Sequence, residues 1–209
     1  MTRTSRFLAA SAASLVMLSM AGACNAAAEH AHAPVASAAA PVASAAAPAA
    51  AAAPVPAGKM VHADVIGIDG KSLGMVMLQE TPAGVLVSTD LKGLPEGDHG
   101  FHFHQKGLCD TAEKFNTSGG HFAGGDHEHG YMVMKGPHGG DMPNQHVGPD
   151  GVLKTQILNT GVTLSPGPKS LFDADGTALV IHAGVDDYTS QPAGNAGGRI
   201  ACGVISKAK

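Results

Sequence analysis

From residue 60 onward, apolar and polar positions alternate in short runs. In the first run Val61, Val65 and the small Ala63 alternate with His62 and Asp64, the period of two expected of a strand with one buried face. Similar apolar or alternating runs recur at Leu73–Leu78, Val85–Thr89, Gly100–His104, Val152–Leu158, Ala178–His182 and Ile200–Ile205. Turn signals separate them, among them Ile68-Asp69-Gly70-Lys71, Gly148-Pro149-Asp150-Gly151 and Asp173-Ala174-Asp175-Gly176. Regular short strands with Gly/Asp turns and no long helical period predict an all-β domain, a sandwich or a barrel. The segment 105–148 breaks this rhythm, being Gly-, His- and Pro-rich with almost no strand pattern. A loop of that length inside a compact domain is usually functional.

The pattern before residue 59 is of another kind. Arg3 and Arg6 precede an apolar stretch from Phe7 to Met20, which ends in the small residues Ala21-Gly22-Ala23. This predicts a secretory signal over 1–23. The stretch is short for a membrane span, which needs about 20 apolar residues. Cys24 follows at once, so the segment reads as a lipoprotein signal with Cys24 as the lipidated first mature residue, although Leu is more usual where Ala21 stands. The other reading is ordinary cleavage nearby, for example after Ala28, which would discard Cys24. The odd cysteine count, three in all, favours lipidation. Residues 24–58 are almost all Ala, Pro, Val and Ser, with Ala-Pro-Val-Ala-Ser-Ala-Ala at 33–39 and again at 40–46. Pro34, Pro41 and Pro48 would break a helix once per repeat, so this segment is expected to be a disordered, semi-extended tether. His30 and His32 within it are read as linker residues.

The predicted domain is therefore 59–209. Setting aside Arg3, Arg6 and Glu29, it holds 11 basic against 16 acidic residues, a net charge of −5. An acidic domain argues against nucleic acid as a partner.

Histidine supplies the chemistry. In Phe101-His102-Phe103-His104 the strand period puts both imidazoles on one face and both phenyl rings on the other. His121 follows a glycine pair, His129 comes eight residues later, His138 nine after that and Asp141 three further on, while His182 stands far downstream. Imidazole nitrogen with one carboxylate suits zinc and copper rather than the all-oxygen sites of calcium or magnesium. A loop carrying three histidines and an aspartate has little apolar surface with which to order itself. A structural zinc would order it, because binding energy becomes folding energy.

The elements Gly-Phe-His102-Phe-His104, Cys109, Gly-Gly-His121, Glu-His129-Gly, Gly-Pro-His138-Gly-Gly-Asp141-Met-Pro-Asn, Ile-His182-Ala-Gly-Val-Asp186-Asp187-Tyr and Gly-Gly-Arg199-Ile-Ala-Cys202-Gly-Val-Ile cover nearly all of 59–209 in order. Together they resemble the copper/zinc superoxide dismutases of the bacterial secreted (periplasmic) type. The resemblance implies a Greek-key β-sandwich or flattened barrel of about eight antiparallel strands with long metal-binding and active-site loops. It implies one copper held by His102, His104, His121 and His182, and one zinc held by His121, His129, His138 and Asp141, with His121 as a shared bridge. Asp186 would orient one ligand histidine of each metal. Arg199 would hold the superoxide anion beside copper, His121 would hand over a proton, and Cys109 and Cys202 would form a disulfide. Lys114, next to Glu113, would help steer the anion. His127 competes with His129 for a ligand role, and the spacing favours His129; His62, His99 and His146 match no ligand position. His121-Phe-Ala-Gly-Gly stands where the family more usually has His-Phe-Asn-Pro, which removes no ligand.

The activity so implied is dismutation of superoxide to oxygen and hydrogen peroxide in the periplasm or cell envelope, by a monomer or homodimer, with membrane attachment through Cys24. A copper-delivery protein would not need Arg199, a bridging ligand and a full zinc set. A catalytically dead relative would be expected to have lost a ligand or the arginine.

Overall fold

The computed structural model describes residues 58–206. The signal-like segment, Cys24, His30, His32 and all but the end of the tether lie outside the described residues. Nine strands form one antiparallel sheet: β1 Met60–Gly67, β2 Ser72–Thr81, β3 Gly84–Lys92, β4 Gly97–His104, β5 Asp141–Val147, β6 Val152–Leu153, β7 Gln156–Asn159, β8 Thr177–His182 and β9 Arg199–Ile205. Their order is β5-β4-β8-β9-β1-β2-β3-β6, with β7 also paired to β3. The chain thus crosses from β3 to the far end of the sheet for β4 and returns through β9 to pair with β1, a Greek-key path. The sheet curls so that β5 approaches β6, which nearly closes a barrel. Among the described residues the one helical segment is a 3₁₀ turn at Asn116–Ser118.

The inward positions fill the barrel. Val61, Ala63 and Val65 of β1 meet Val76 and Leu78 of β2, Val85, Val87 and Leu91 of β3, and Phe101 and Phe103 of β4 in one buried cluster. A second cluster lies on the outer side of β8 and β9, where Phe115 covers Ala178, Val180 and Cys202. This cluster buries the outer face of β8, and the outer histidines of β4 are covered by His121 and Asp186, so both strands are buried on both faces. The disulfide Cys109–Cys202 ties the loop bearing Phe115 to β9 across a sequence separation of 93 residues. In the chain-entropy account such a closure is worth roughly 4–5 kcal/mol.

Two sequence expectations need correction. The run 152–158 is not one strand, because β6 and β7 are separated at Lys154-Thr155. Both pair with β3 in the same register, Leu91 with Leu153 and Ser88 with Gln156, so they occupy a single place and the barrel has eight strand positions. The break is bridged by Thr89, whose buried hydroxyl donates to the Leu153 carbonyl (3.0 Å) and accepts from the Thr155 amide (3.1 Å). The segment 105–148 is not loop throughout, since it ends in β5, paired with β4. The outer place of β5 in the sheet order is where a proline such as Pro143 is tolerated within a strand.

Candidate metal centre

β4 presents His102 and His104 outward while Phe101 and Phe103 enter the core, as the strand period requires. The neighbouring strand β8 ends in His182, also buried. The chain leaving β4 folds back so that His121 makes an isolated bridge with His104. His129, His138 and Asp141 arrive from the following loop and the start of β5. The seven side chains form two groups able to hold a metal ion: His102, His104, His121 and His182, and His121, His129, His138 and Asp141. In each group the candidate ligand atoms lie within 4.8 Å of one another, and His121 belongs to both.

The hydrogen bonds show which atom of each ring is free. Nε2 of His102 donates to Oδ2 of Asp186 (2.8 Å), leaving Nδ1 buried without a partner. Nδ1 of His104 donates to the Gly119 carbonyl (2.9 Å) and Nδ1 of His182 to the Gly197 carbonyl (3.2 Å). Their Nε2 atoms then face each other at 3.3 Å. In the other group, Oδ1 of Asp141 lies 2.8 Å from Nδ1 of His121, 3.1 Å from Nδ1 of His129 and 3.6 Å from Nδ1 of His138. The second oxygen of Asp141 accepts the amides of Gly130 and His138, both at 3.0 Å. Nε2 of His129 donates to Oδ1 of Asp186 (2.9 Å). Nε2 of His121 and Nδ1 of His138 are buried and unpaired. Buried polar atoms without partners are rare and costly, and here they converge on two points. Nitrogen ligands with one carboxylate, the rings of His102, His104, His182 and His129 each fixed through the other nitrogen, fit a copper and a zinc ion.

Electrostatics agree with a site built for cations. Burial pushes the His121 imidazole down to about 4 and that of His182 to about 3, the latter also disfavoured by His102. His104 is lowered well below the ordinary value by burial, with His121 and Arg199 adding to the effect. These rings are neutral at pH 7 and offer lone pairs. Burial also disfavours charge on His129, but hydrogen bonds to Asp141 and Asp186 outweigh it and raise its pKa to about 9. Burial opposes ionisation of Asp141 and Asp186 as well, yet the histidines around them hold both carboxyls below the usual range.

A cavity of about 280 Å³ opens on the first group, lined by His104, His121, His182, Arg199, Pro192 and Ala193 among others. Arg199 is held at its edge by three acceptors: the Phe115 carbonyl (2.7 Å), the Ser118 hydroxyl (2.8 Å) and the Gly119 carbonyl (2.6 Å). Lys114 and Phe115 place that carbonyl by adopting left-handed backbone angles (φ 49° and 62°). Lys114 itself is exposed and outside the residues lining the cavity.

Of the remaining histidines, His127 is exposed with Nδ1 3.3 Å from the Lys135 carbonyl and does not join the cluster, whereas His129 does. His62 is exposed, His146 faces Asp98 on the surface, and His99 is buried between the carbonyls of His182 and Pro95. Sequence reasoning missed a supporting layer. Asn144 accepts the Asp186 amide and donates to its carbonyl (both 2.9 Å), Gln191 grips the backbone of His129, and the Tyr131 hydroxyl donates to the Asp141 carbonyl (2.8 Å). Asn144 stands in the quoted Asp-Met-Pro-Asn motif, but its partner is 42 residues away.

Comparison with known proteins shows what the chain is similar to. A family model described as copper/zinc superoxide dismutase matches residues 72–205. A "Superoxide dismutase [Cu-Zn] 2" of Aquifex aeolicus is 49% identical over 146 residues, covering 69% of this chain and 85% of the relative. A "Superoxide dismutase [Cu-Zn]" of Caulobacter vibrioides is 42% identical over 140 residues, 66% of this chain and 80% of the relative. Among solved structures, a double mutant of a SOD-like protein from Bacillus subtilis superposes with a TM-score of 0.67 at 35% identity, covering 70% of this chain and 97% of that one.

Proposed function

The chain belongs to the copper/zinc superoxide dismutase family, and from that membership we propose that His102, His104, His121 and His182 hold its copper while His121, His129, His138 and Asp141 hold its zinc. The enzyme converts superoxide to oxygen and hydrogen peroxide. The observation that carries the assignment is the imidazole of His121. Its Nδ1 lies against Asp141 and His129, and its buried Nε2 is left for the other group.

Bound by His102, His104, His121 and His182, copper would supply the one-electron redox chemistry that dismutation of superoxide requires. The chain's residues do the rest. Asp186 accepts from one ring of each group and so fixes both orientations relative to each other. Arg199, with three acceptors already spent on its guanidinium, keeps further N–H donors for an anion in the cavity beside His104, His121 and His182. Superoxide is anionic and the domain is acidic, so local positive charge has to guide it; Arg199 is one source and the exposed Lys114 a second. Nε2 of His121, with Nδ1 anchored beside Asp141, would hold a proton for the departing peroxide only while that atom is not engaged by copper. Metal analysis of the purified protein together with a superoxide-decay assay tests the reading: copper and zinc near one each with rapid decay support it, while copper bound without decay would indicate a storage or delivery protein.

The enzyme is proposed to work in the periplasm, protecting the cell envelope from external superoxide, on a lipid anchor at Cys24. Cys109 and Cys202 pair, which suits an oxidising compartment and leaves Cys24 over. In a bacterial host the wild type then partitions with membranes and Cys24→Ser does not, with equal dismutase activity. Wild type found wholly in the soluble fraction would remove the anchor.

A further inference from the structure

The outer face of β1 and β2 is chemically unusual. From β1 it carries Met60, His62 and Asp64, and from β2 Met75 and Met77, all exposed. The three methionines are 50%, 43% and 43% accessible, while the alternate positions Val61, Ala63, Val76 and Leu78 fill the core. No demand of packing places thioethers there.

The strand register brings these groups together. The Glu80 amide donates to the Lys59 carbonyl (2.8 Å), so residues 59 and 80 form a hydrogen-bonded pair. Antiparallel pairs alternate in type, which makes Met60↔Gln79, His62↔Met77 and Asp64↔Met75 non-hydrogen-bonded pairs, the type with the closest side chains. Directly opposed Cβ atoms in such pairs are about 4.5–5.5 Å apart, and diagonal neighbours such as His62 and Met75, or Met60 and Met77, stay within about 7–8 Å, in reach of long side chains. Met75 also lies between two acidic positions, Asp64 on β1 and Asp90 on β3.

We propose that His62, Met75 and Met77, with Met60 alongside, form a surface binding site for a soft monovalent metal ion, Cu(I). Thioether sulfur is a soft donor that favours Cu(I), imidazole accepts the same ion, and hard cations such as magnesium or calcium gain little from either. Two methionines at i and i+2 on one strand with a histidine opposite supply two or three ligands from a rigid platform, and the acidic neighbours favour a cation over an anion. The site shares no residue with the internal groups and does not depend on which of those takes copper. It would hold copper on the outside of a protein that needs copper inside.

The test uses protein already loaded with copper and zinc, so that the internal groups are filled, and Ag(I) as a redox-inert probe. Equilibrium dialysis counts bound silver, and the methionine methyl signals in carbon-13 NMR locate it. The expected result is one further Ag(I) per chain with shifts at Met60, Met75 and Met77, lost in Met75→Leu/Met77→Leu. Leucine keeps the bulk, and an unchanged melting temperature shows that the variant is folded. Met132→Leu/Met134→Leu, which removes the two most exposed thioethers of the 126–138 loop, should bind silver as the wild type does. Absence of a further Ag(I), or its loss in the Met132/Met134 variant and not in the Met75/Met77 variant, would overturn the proposal. Dismutase activity of the same loaded samples reports on the internal assignment separately.

Discussion

Gly194 lies directly against the Asp186 carboxylate: a Cβ built on Gly194 would collide with Oδ1 of Asp186 and with Nε2 of His129, the two atoms that hydrogen-bond to each other. Gly194 also sits at φ 65°, where a side chain is strained. One glycine thus guards the carboxylate that orients a histidine in each group. Gly194→Ala is expected to displace Asp186, weaken zinc binding and lower activity, with a stability loss of about 1–3 kcal/mol from backbone strain and the clash. Thermal melting and zinc competition measure it; unchanged zinc affinity would contradict the role given to Asp186.

Asp141→Ala leaves three histidines facing one another and removes the oxygen that accepts the Gly130 and His138 amides. Zinc content should fall sharply and proteases should cut within 105–140. His127→Ala, outside the cluster, should change neither. Zinc content and protease resistance equal to wild type in Asp141→Ala would contradict the zinc assignment.

Arg199 and His104 meet at one carbonyl, that of Gly119, so the arginine is fixed relative to the proposed copper site. Arg199→Glu reverses the charge there. The rate should fall and its decline with added salt should flatten, since salt screens the attraction that is lost. Copper content should hold. A wild-type rate at low salt would remove the anion-binding role.

The metal-free protein should lose stability on acidification. His121, His182 and His104 have folded-state values pushed down by burial, so the unfolded chain binds their protons first. Their contribution is full above about 6.5 and is lost as pH falls toward the folded values of about 4 for His121 and about 3 for His182. His129, raised to about 9, acts in the opposite sense, but its contribution is full below about 6.5 and falls only as pH rises toward 9, so it leaves the acid-side decline unchanged. The expected net result is a falling melting temperature between pH 6.5 and 4 in chelator-treated protein. A flat profile would contradict the burial of these rings as neutral groups.

The parts of the molecule that were readable in the sequence share a cause. A ligand histidine has few substitutes, so the series 121, 129, 138 and 141 carries its meaning in spacing alone, and the period of two sorted Phe101 and Phe103 from His102 and His104. The strands with apolar inward faces were legible for the same reason. β5 was not, because it combines Pro143 with polar outward residues and shows the core chiefly Met142 and Val147. The break between β6 and β7 was hidden in the side chain of Thr89, more than sixty residues away. Asn144, Gln191 and Ser118 act by hydrogen bonds to distant backbone or to Arg199, and nothing local distinguishes such residues from surface ones.

The copper assignment is tested most directly by His104→Ala. Nδ1 of His104 is tied to Gly119 and Nε2 faces His182, while the zinc group shares no atom with it. Superoxide decay per molecule, measured on wild type and variant at matched zinc content, should fall to background in the variant, whose melting curve still shows a folded protein. A variant that dismutates superoxide at close to the wild-type rate would contradict the assignment of His102, His104, His121 and His182 as the copper site.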